Sequence, residues 1–81
     1  MNLTKIKAAR AGFLAKARAT DDPGEKHWCK VFIANLDLMA SDNEEERERG
    51  KRMFVQNTDW YTRLFLPVQR MRMEKSSEKV A

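Results

Sequence analysis

Residues 22–40, DPGEKHWCKVFIANLDLMA, decide the fold of this chain. On a helix that turns about 100° per residue, the apolar side chains of this stretch cover more than half of the circumference. The positions left for solvent are Lys26, Lys30, Ala34 and Asp37. A helix with so wide an apolar arc must pack against at least two neighbours. The stretch is therefore predicted to be the central helix of an all-α domain.

Polar residues that favour helix starts separate this central helix from the segments on either side. Asn2 precedes an amphipathic stretch that is predicted to be helical to about Ala19. Asp22 followed by Pro23 is typical of a helix N-terminus, because proline suits the first helical position. Residues 41–44, SDNE, have the pattern of a capping box and predict the start of a third helix.

Another cap-like stretch at 57–59, NTD, predicts a fourth helix that starts near Trp60. Pro67 removes one backbone hydrogen bond from this helix and is predicted to kink it. The sequence thus predicts a small four-helix, bundle-like domain over residues 1–75. Residues 76–81 are polar and are predicted to form a flexible C-terminal tail.

Helical periodicity also predicts which side chains form the core. The predicted core residues are Ile6, Phe13, Trp28, Val31, Phe32, Leu36, Met39, Phe54, Trp60, Leu64 and Val68. Asn35 falls within the apolar arc of the central helix. Its amide is predicted to bond to backbone or to a neighbouring helix, because an unpaired buried amide costs about 1–3 kcal/mol.

Length and charge limit the kinds of protein this chain can be. A chain of 81 residues forms one small domain, and such domains bury only about 60% of their unfolded surface. Residues 1–20 carry five basic and no acidic side chains, and residues 60–81 carry five basic and two acidic ones. Cys29 is the single cysteine, so an intramolecular disulfide is excluded. No apolar run has the length of a signal peptide or a membrane span, so we expect a cytoplasmic protein without membrane contact.

The sequence contains no arrangement of residues suited to catalysis. His27 and Cys29 are the single His and Cys, and two positions along a helix place them about 160° apart, so Cys29 is predicted to be a buried apolar residue. A zinc site would need two more ligands. The glycines are isolated, so no phosphate-binding loop is formed, and the glutamates of residues 44–48 point in different directions. We therefore expect no enzymatic activity, no cofactor and no bound metal ion.

The stretch from Trp60 to Met73 has the composition of a protein interface, because it combines aromatic, methionine and arginine residues. The predicted partner-binding residues are Trp60, Tyr61, Arg63, Leu66, Arg70 and Met73. In size, helical composition and lack of a catalytic motif, the chain resembles the small accessory or inhibitor proteins that phages and mobile elements encode. That resemblance carries no site residue. The leading hypothesis is a non-enzymatic module that binds and regulates or inhibits a larger protein, and a homodimer is also open.

Binding to nucleic acid is the alternative hypothesis. A helix-turn-helix is excluded, because the start of the third helix is acidic where DNA phosphates would lie. Phosphate contacts elsewhere need only suitably placed positive charge, and in an up-down-up-down bundle the first and last helices are neighbours. The predicted contacts to phosphate or to an acidic partner are Lys5, Lys16 and Arg18 from the first helix, with Arg63, Arg70 and Arg72 from the last.

Overall fold

A computed structural model of the chain describes residues 2–72, and these residues form three helices without a strand. The helices are α1 (Leu3–Ala19), α2 (Pro23–Met39) and α3 (Glu44–Trp60), and α3 continues as a π-helical segment, Tyr61–Phe65, and then as helix over 66–72. The all-α prediction is confirmed, whereas a fourth helix is not observed in this part of the chain. None of the helices described is long and apolar enough to cross a membrane.

Each helix begins directly after a capping side chain. The side chains of Asn2 and Asp22 accept backbone N–H groups from the first turns of α1 and α2, as predicted. α3 begins after Asn43, whose side chain accepts the N–H groups of Glu45 and Glu46 at 2.9 and 3.2 Å. The first N–H groups of a helix have no partner inside it, so these caps decide where each helix starts.

α2 lies between α1 and α3 and runs antiparallel to both. α1 and α3 each pack against α2 and far less against each other. At one end of α2, Ile6 of α1 joins Leu36 and Met39 in the buried core. Towards the other end, Phe13 of α1 stacks on Phe32 with ring centroids 5.0 Å apart. The prediction that residues 22–40 form the central helix is confirmed.

Gly50 allows α3 to approach α2 closely. A Cβ at this position would lie 2.8 Å from Leu38 Cβ and from Met39 N, and 2.9 Å from the Asn35 carbonyl oxygen.

Asn35 is only 1% exposed, and its Nδ2 has no hydrogen-bond partner among residues 2–72. The Nδ2 group of this amide therefore lacks the hydrogen bond that was predicted for it.

The helix boundary predicted at residues 57–59 is wrong, because these residues are helical. The Thr58 hydroxyl donates to the carbonyl oxygen of Phe54, one turn earlier, at 2.7 Å. Threonine side chains inside helices commonly bond backward in this way instead of capping a new helix. Phe54 before this stretch and Tyr61 after it both contact Phe32 of α2, so packing favours a continuous helix over a local cap.

The core prediction is right for α1 and α2 but wrong for the end of the chain. Ile6, Phe32, Leu36 and Met39 are buried, and Phe13, Trp28, Val31 and Phe54 are partly buried. Trp60, Leu64 and Val68, by contrast, are exposed. Tyr61 directly follows Trp60, and Phe65 directly follows Leu64. Both of these rings face α2 instead.

Helical continuity explains this change of face. Gly50 and Phe54 already lie against α2, so they fix which side of α3 points inward. Tyr61 follows Phe54 after seven residues and Phe65 follows after eleven, and both spacings return to the same side of a helix. Because no loop interrupts the helix after Phe54, the side that faces α2 stays the same, and Trp60 and Leu64 face outward.

Pro67 is preceded by a widened turn, and the predicted kink is not confirmed. The helix continues through Pro67 to residue 72, and the Leu66 N–H donates to the Tyr61 carbonyl oxygen, five residues earlier. A proline ring crowds the carbonyl four residues before it, here that of Arg63. The π-helical turn gives that carbonyl more room while the helix continues.

Candidate protein interface

Six of the seven aromatic side chains form one cluster that connects the three helices. The cluster consists of Phe13, Trp28, Phe32, Phe54, Tyr61 and Phe65, and neighbouring ring centroids are 5.0 to 6.1 Å apart. At these distances tilted and offset rings attract one another beyond the effect of their burial. Trp60 is the single aromatic residue outside the cluster.

Three polar side chains, one from each helix, meet beside this cluster. The Tyr61 hydroxyl donates to the Glu25 carboxylate, with 3.2 Å to Oε1 and 3.3 Å to Oε2. The Lys16 Nζ lies 3.4 Å from the Tyr61 hydroxyl and 3.5 Å from Glu25 Oε2. Tyr61, predicted to bind a partner, therefore uses its ring and hydroxyl to hold α1, α2 and the end of the long helix together, where the long helix is α3 with its continuation over residues 61–72.

The surroundings of this polar cluster shift three pKa values upward. Burial raises the pKa of Tyr61, with the Glu25 charge adding to the effect and Lys16 opposing it. Burial lowers the pKa of Lys16, but the interactions with Tyr61 and Glu25 outweigh that effect, so it is raised overall. Burial also raises the pKa of the Cys29 thiol. At neutral pH the cluster thus contains a charged Lys16 and an uncharged Tyr61, which suits a structural bridge.

Two further contacts fix the end of the long helix to the start of α2. A Cβ at Gly24 would lie 2.8 Å from Phe65 Cε2, so the phenyl ring rests directly on this glycine. One turn further on, the Gln69 amide Nε2 donates to the Asp22 carboxylate. Residues 61–72, the distal segment, therefore have one side anchored to α2 as far as Gln69.

The opposite side of this helix carries a row of uncovered apolar side chains. Trp60, Leu64, Val68 and Met71 are exposed by 46%, 64%, 49% and 58% and form the exposed stripe. Spacings of four, four and three residues place them on one side of a helix. Residues 2–72 expose seven large apolar side chains, and four of them belong to this one row.

A groove lies beside the exposed stripe and shares Met71 with it. Its volume is about 300 Å³, and it is lined by Thr62, Leu66, Pro67, Arg70 and Met71. The Thr62 hydroxyl donates to a backbone carbonyl of its own helix at 2.8 Å. Arg70 is therefore the charged group that the groove offers to a bound molecule.

Comparison of the chain with protein-family models, curated proteins and solved structures gives no match. Within residues 2–72, no group of three or more His, Cys, Asp or Glu side chains is placed to bind a metal ion. Cys29 is buried, as predicted, whereas His27 is exposed beside the Trp28 ring.

The predicted partner-binding residues have different surroundings. Trp60 belongs to the exposed stripe, and Leu66 and Arg70 line the groove. Arg63 is exposed, and its Nε lies 2.7 Å from Asp59 Oδ1. Met73 lies outside the described residues, as do residues 76–81 of the predicted tail.

The predicted partner-binding set lacks three residues of the exposed stripe, namely Leu64, Val68 and Met71. Leu64 and Val68 were assigned to the core, but both face outward beside Trp60. The spacing from Phe54 could have found Leu64, because it turns Tyr61 and Phe65 towards α2. It could not have found Val68, whose exposure follows the change of register in the π-helical segment Tyr61–Phe65.

The basic residues predicted to contact phosphate or an acidic partner lie at two ends of the molecule. Lys16 is part of the polar cluster with Tyr61, and Arg18, Arg70 and Arg72 are exposed towards the same end. Lys5 adjoins Ile6, which packs near Met39 at the far end of α2. The helices therefore do not bring all of these basic residues together.

Proposed function

We propose that this chain is a small, non-enzymatic protein-binding module that regulates or inhibits a larger protein. Trp60 carries the proposal, because it is the one aromatic residue outside the internal cluster and begins the exposed stripe. Tryptophan is enriched among the residues that dominate binding energy at protein interfaces. We also propose that the protein is cytoplasmic and that its role is similar to that of the small accessory proteins of phages and mobile elements.

The anchoring of the distal segment supports binding through this surface. Tyr61, Phe65 and Gln69 hold one side of the helix against α2 while the exposed stripe faces away. A surface that is already ordered loses little conformational entropy when a partner binds. The stripe therefore combines the composition of a binding surface with packing that holds the opposite side of its helix in place.

A capture experiment with matched variants tests this function. The tagged chain is incubated with extract of its native cells, with and without nuclease, alongside Trp60→Ala and Val55→Ala. We expect the chain to capture one defined protein, with or without nuclease. Trp60→Ala should abolish this capture, and Val55→Ala should leave it unchanged. Val55 is a suitable control because it is a 69% exposed apolar residue outside the stripe. Capture of nucleic acid alone, or capture insensitive to Trp60→Ala, would contradict the proposal.

Nucleic-acid binding through α1 and the distal segment is the second candidate. Arg18, Arg70 and Arg72 are exposed towards one end of the molecule, which favours it. Lys16 and Arg63, however, already interact with carboxylates of their own chain. If phosphates bind here, the logarithm of the association constant should fall by about 0.7–0.9 per phosphate contact for each tenfold increase in salt concentration. Arg70→Glu with Arg72→Glu would then abolish binding, whereas Trp60→Ala would not.

A further inference from the structure

We infer that the exposed stripe and its groove bind an acidic amphipathic helix of the partner protein. This inference rests on the proposed function and adds the chemistry of the partner. The bound helix has apolar side chains at three- and four-residue spacing against Leu64 and Val68, and carboxylates beside Arg70 and Arg72.

The charge along the stripe has one sign. Residues 60–72 contain three arginines and no acidic residue. The nearest acid in the preceding sequence is Asp59, whose carboxylate already lies 2.7 Å from Arg63. An apolar row bordered by arginines is complemented by an apolar row bordered by carboxylates, and like charges across an interface are unfavourable.

The shape of the surface favours a helix over an extended peptide. The backbone of α3 forms its hydrogen bonds within the helix, so it offers no strand edge for a peptide to extend. The stripe is a linear ridge with a groove of about 300 Å³ along its side. Helices pack by placing the ridges of one into the grooves of the other. An apolar side chain of the partner fills the groove while a neighbouring carboxylate reaches Arg70.

A second copy of this chain fits the surface poorly. Two stripes packed in parallel would bring Arg70 and Arg72 of one copy near the same residues of the other. Packed antiparallel, they would bring these arginines near Trp60 of the other copy, where the Asp59 carboxylate already interacts with Arg63. The acidic residues of α3 lie mainly at 44–48, and that stretch contains no apolar side chain. A second copy thus does not supply apolar groups and carboxylates on one helical face.

A selection from displayed helical peptides tests this inference with the whole chain as bait. The peptides carry fixed apolar residues at three- and four-residue spacing, and their flanking positions vary among Glu, Gln and Lys. We expect at least about tenfold enrichment of Glu over Lys at the flanks, which corresponds to about 1.4 kcal/mol. Arg70→Glu with Arg72→Glu should reverse the preference. Lys7→Glu with Arg49→Glu, an equal change of charge at the opposite end, should leave it unchanged.

Three results of this selection would overturn the inference. They are enrichment of Gln or Lys, a preference that survives the Arg70 and Arg72 reversal, and peptide binding that survives Leu64→Ser with Val68→Ser. If sedimentation shows a dimer and Leu64→Ser converts it to a monomer, the stripe serves self-association instead. Tighter binding to phosphatidylserine vesicles than to every selected peptide would assign it to a membrane surface.

The proposed function and this inference can fail separately. Selection of acidic helices without capture of any cellular protein would contradict the proposed function alone. Capture of a protein that the selected peptides do not displace would contradict the inference alone.

Discussion

The phenyl ring of Phe65 rests on the backbone of Gly24, close enough that a Cβ there would lie 2.8 Å from Cε2. This contact joins the start of α2 to the end of the long helix. Because the ring faces α2, the neighbouring Leu64 faces outward. The position of the exposed stripe is therefore set by packing on its opposite side.

Gly50→Ala should lower the free energy of unfolding by about 1–3 kcal/mol, because the added methyl meets the backbone of α2. Gly12→Ala is the matched control, since nothing lies within 4 Å of a Cβ built there. That change should stabilise the protein by about 0.5–1 kcal/mol through helix propensity. Urea denaturation measures both free energies, and equal stabilisation by the two changes would refute the close helix contact.

Phe32→Ala should lower the free energy of unfolding by about 3–5 kcal/mol, because Phe32 contacts aromatic rings from all three helices. Trp60→Ala removes a larger side chain but one that is 46% exposed. We expect its effect to stay below about 1 kcal/mol. Thermal unfolding of both variants tests the difference, and a larger loss from Trp60→Ala would contradict the described packing.

Tyr61 should lose its proton at a higher pH in the folded protein than in the unfolded chain, because burial raises its pKa. The stability linked to this shift is fully present below the unfolded pKa of about 10 and is lost as pH rises through the folded value. Lys16, whose pKa is also raised, acts in the same direction.

Tyrosinate absorbance tests this prediction directly, since the chain contains one tyrosine. The titration midpoint should be higher in buffer than in urea. Tyr61→Phe should weaken the loss of stability in alkaline solution. An equal or lower midpoint in the folded protein would show that the hydroxyl is not buried as described.

The central helix could be predicted because its pattern is local and strong. The apolar arc of residues 22–40 and the caps at Asn2 and Asp22 were sufficient to identify α1 and α2. The end of the chain could not be predicted in the same way, because the cap-like residues 57–59 suggested a boundary. Packing of Phe54 and Tyr61 on α2 overrides that local preference.

The surface of the candidate interface could be predicted only in part, for the same reason. Composition selected Trp60, Leu66 and Arg70, which lie on the exposed stripe or line the groove, and their role in binding stays a prediction. The sequence predicts Leu64 and Val68 in the core, because a separate fourth helix could turn its widest apolar side towards α2. A register counted from Phe54 would have turned Leu64 outward but would have left Val68 facing α2, because Val68 follows Phe54 by two heptads. The π-helical segment Tyr61–Phe65, which the sequence does not predict, changes the register before Val68 and accounts for its exposure.

Site-specific crosslinking in native cells tests the central claim most directly. A photoreactive amino acid replaces Leu64 in one variant and Val55 in another, and both positions are exposed on the same continuous helix. We predict that the Leu64 position crosslinks to one defined protein and that the Val55 position does not. Equal crosslinking from both positions, or crosslinking of Leu64 to nucleic acid alone, would contradict a protein-binding role for the exposed stripe.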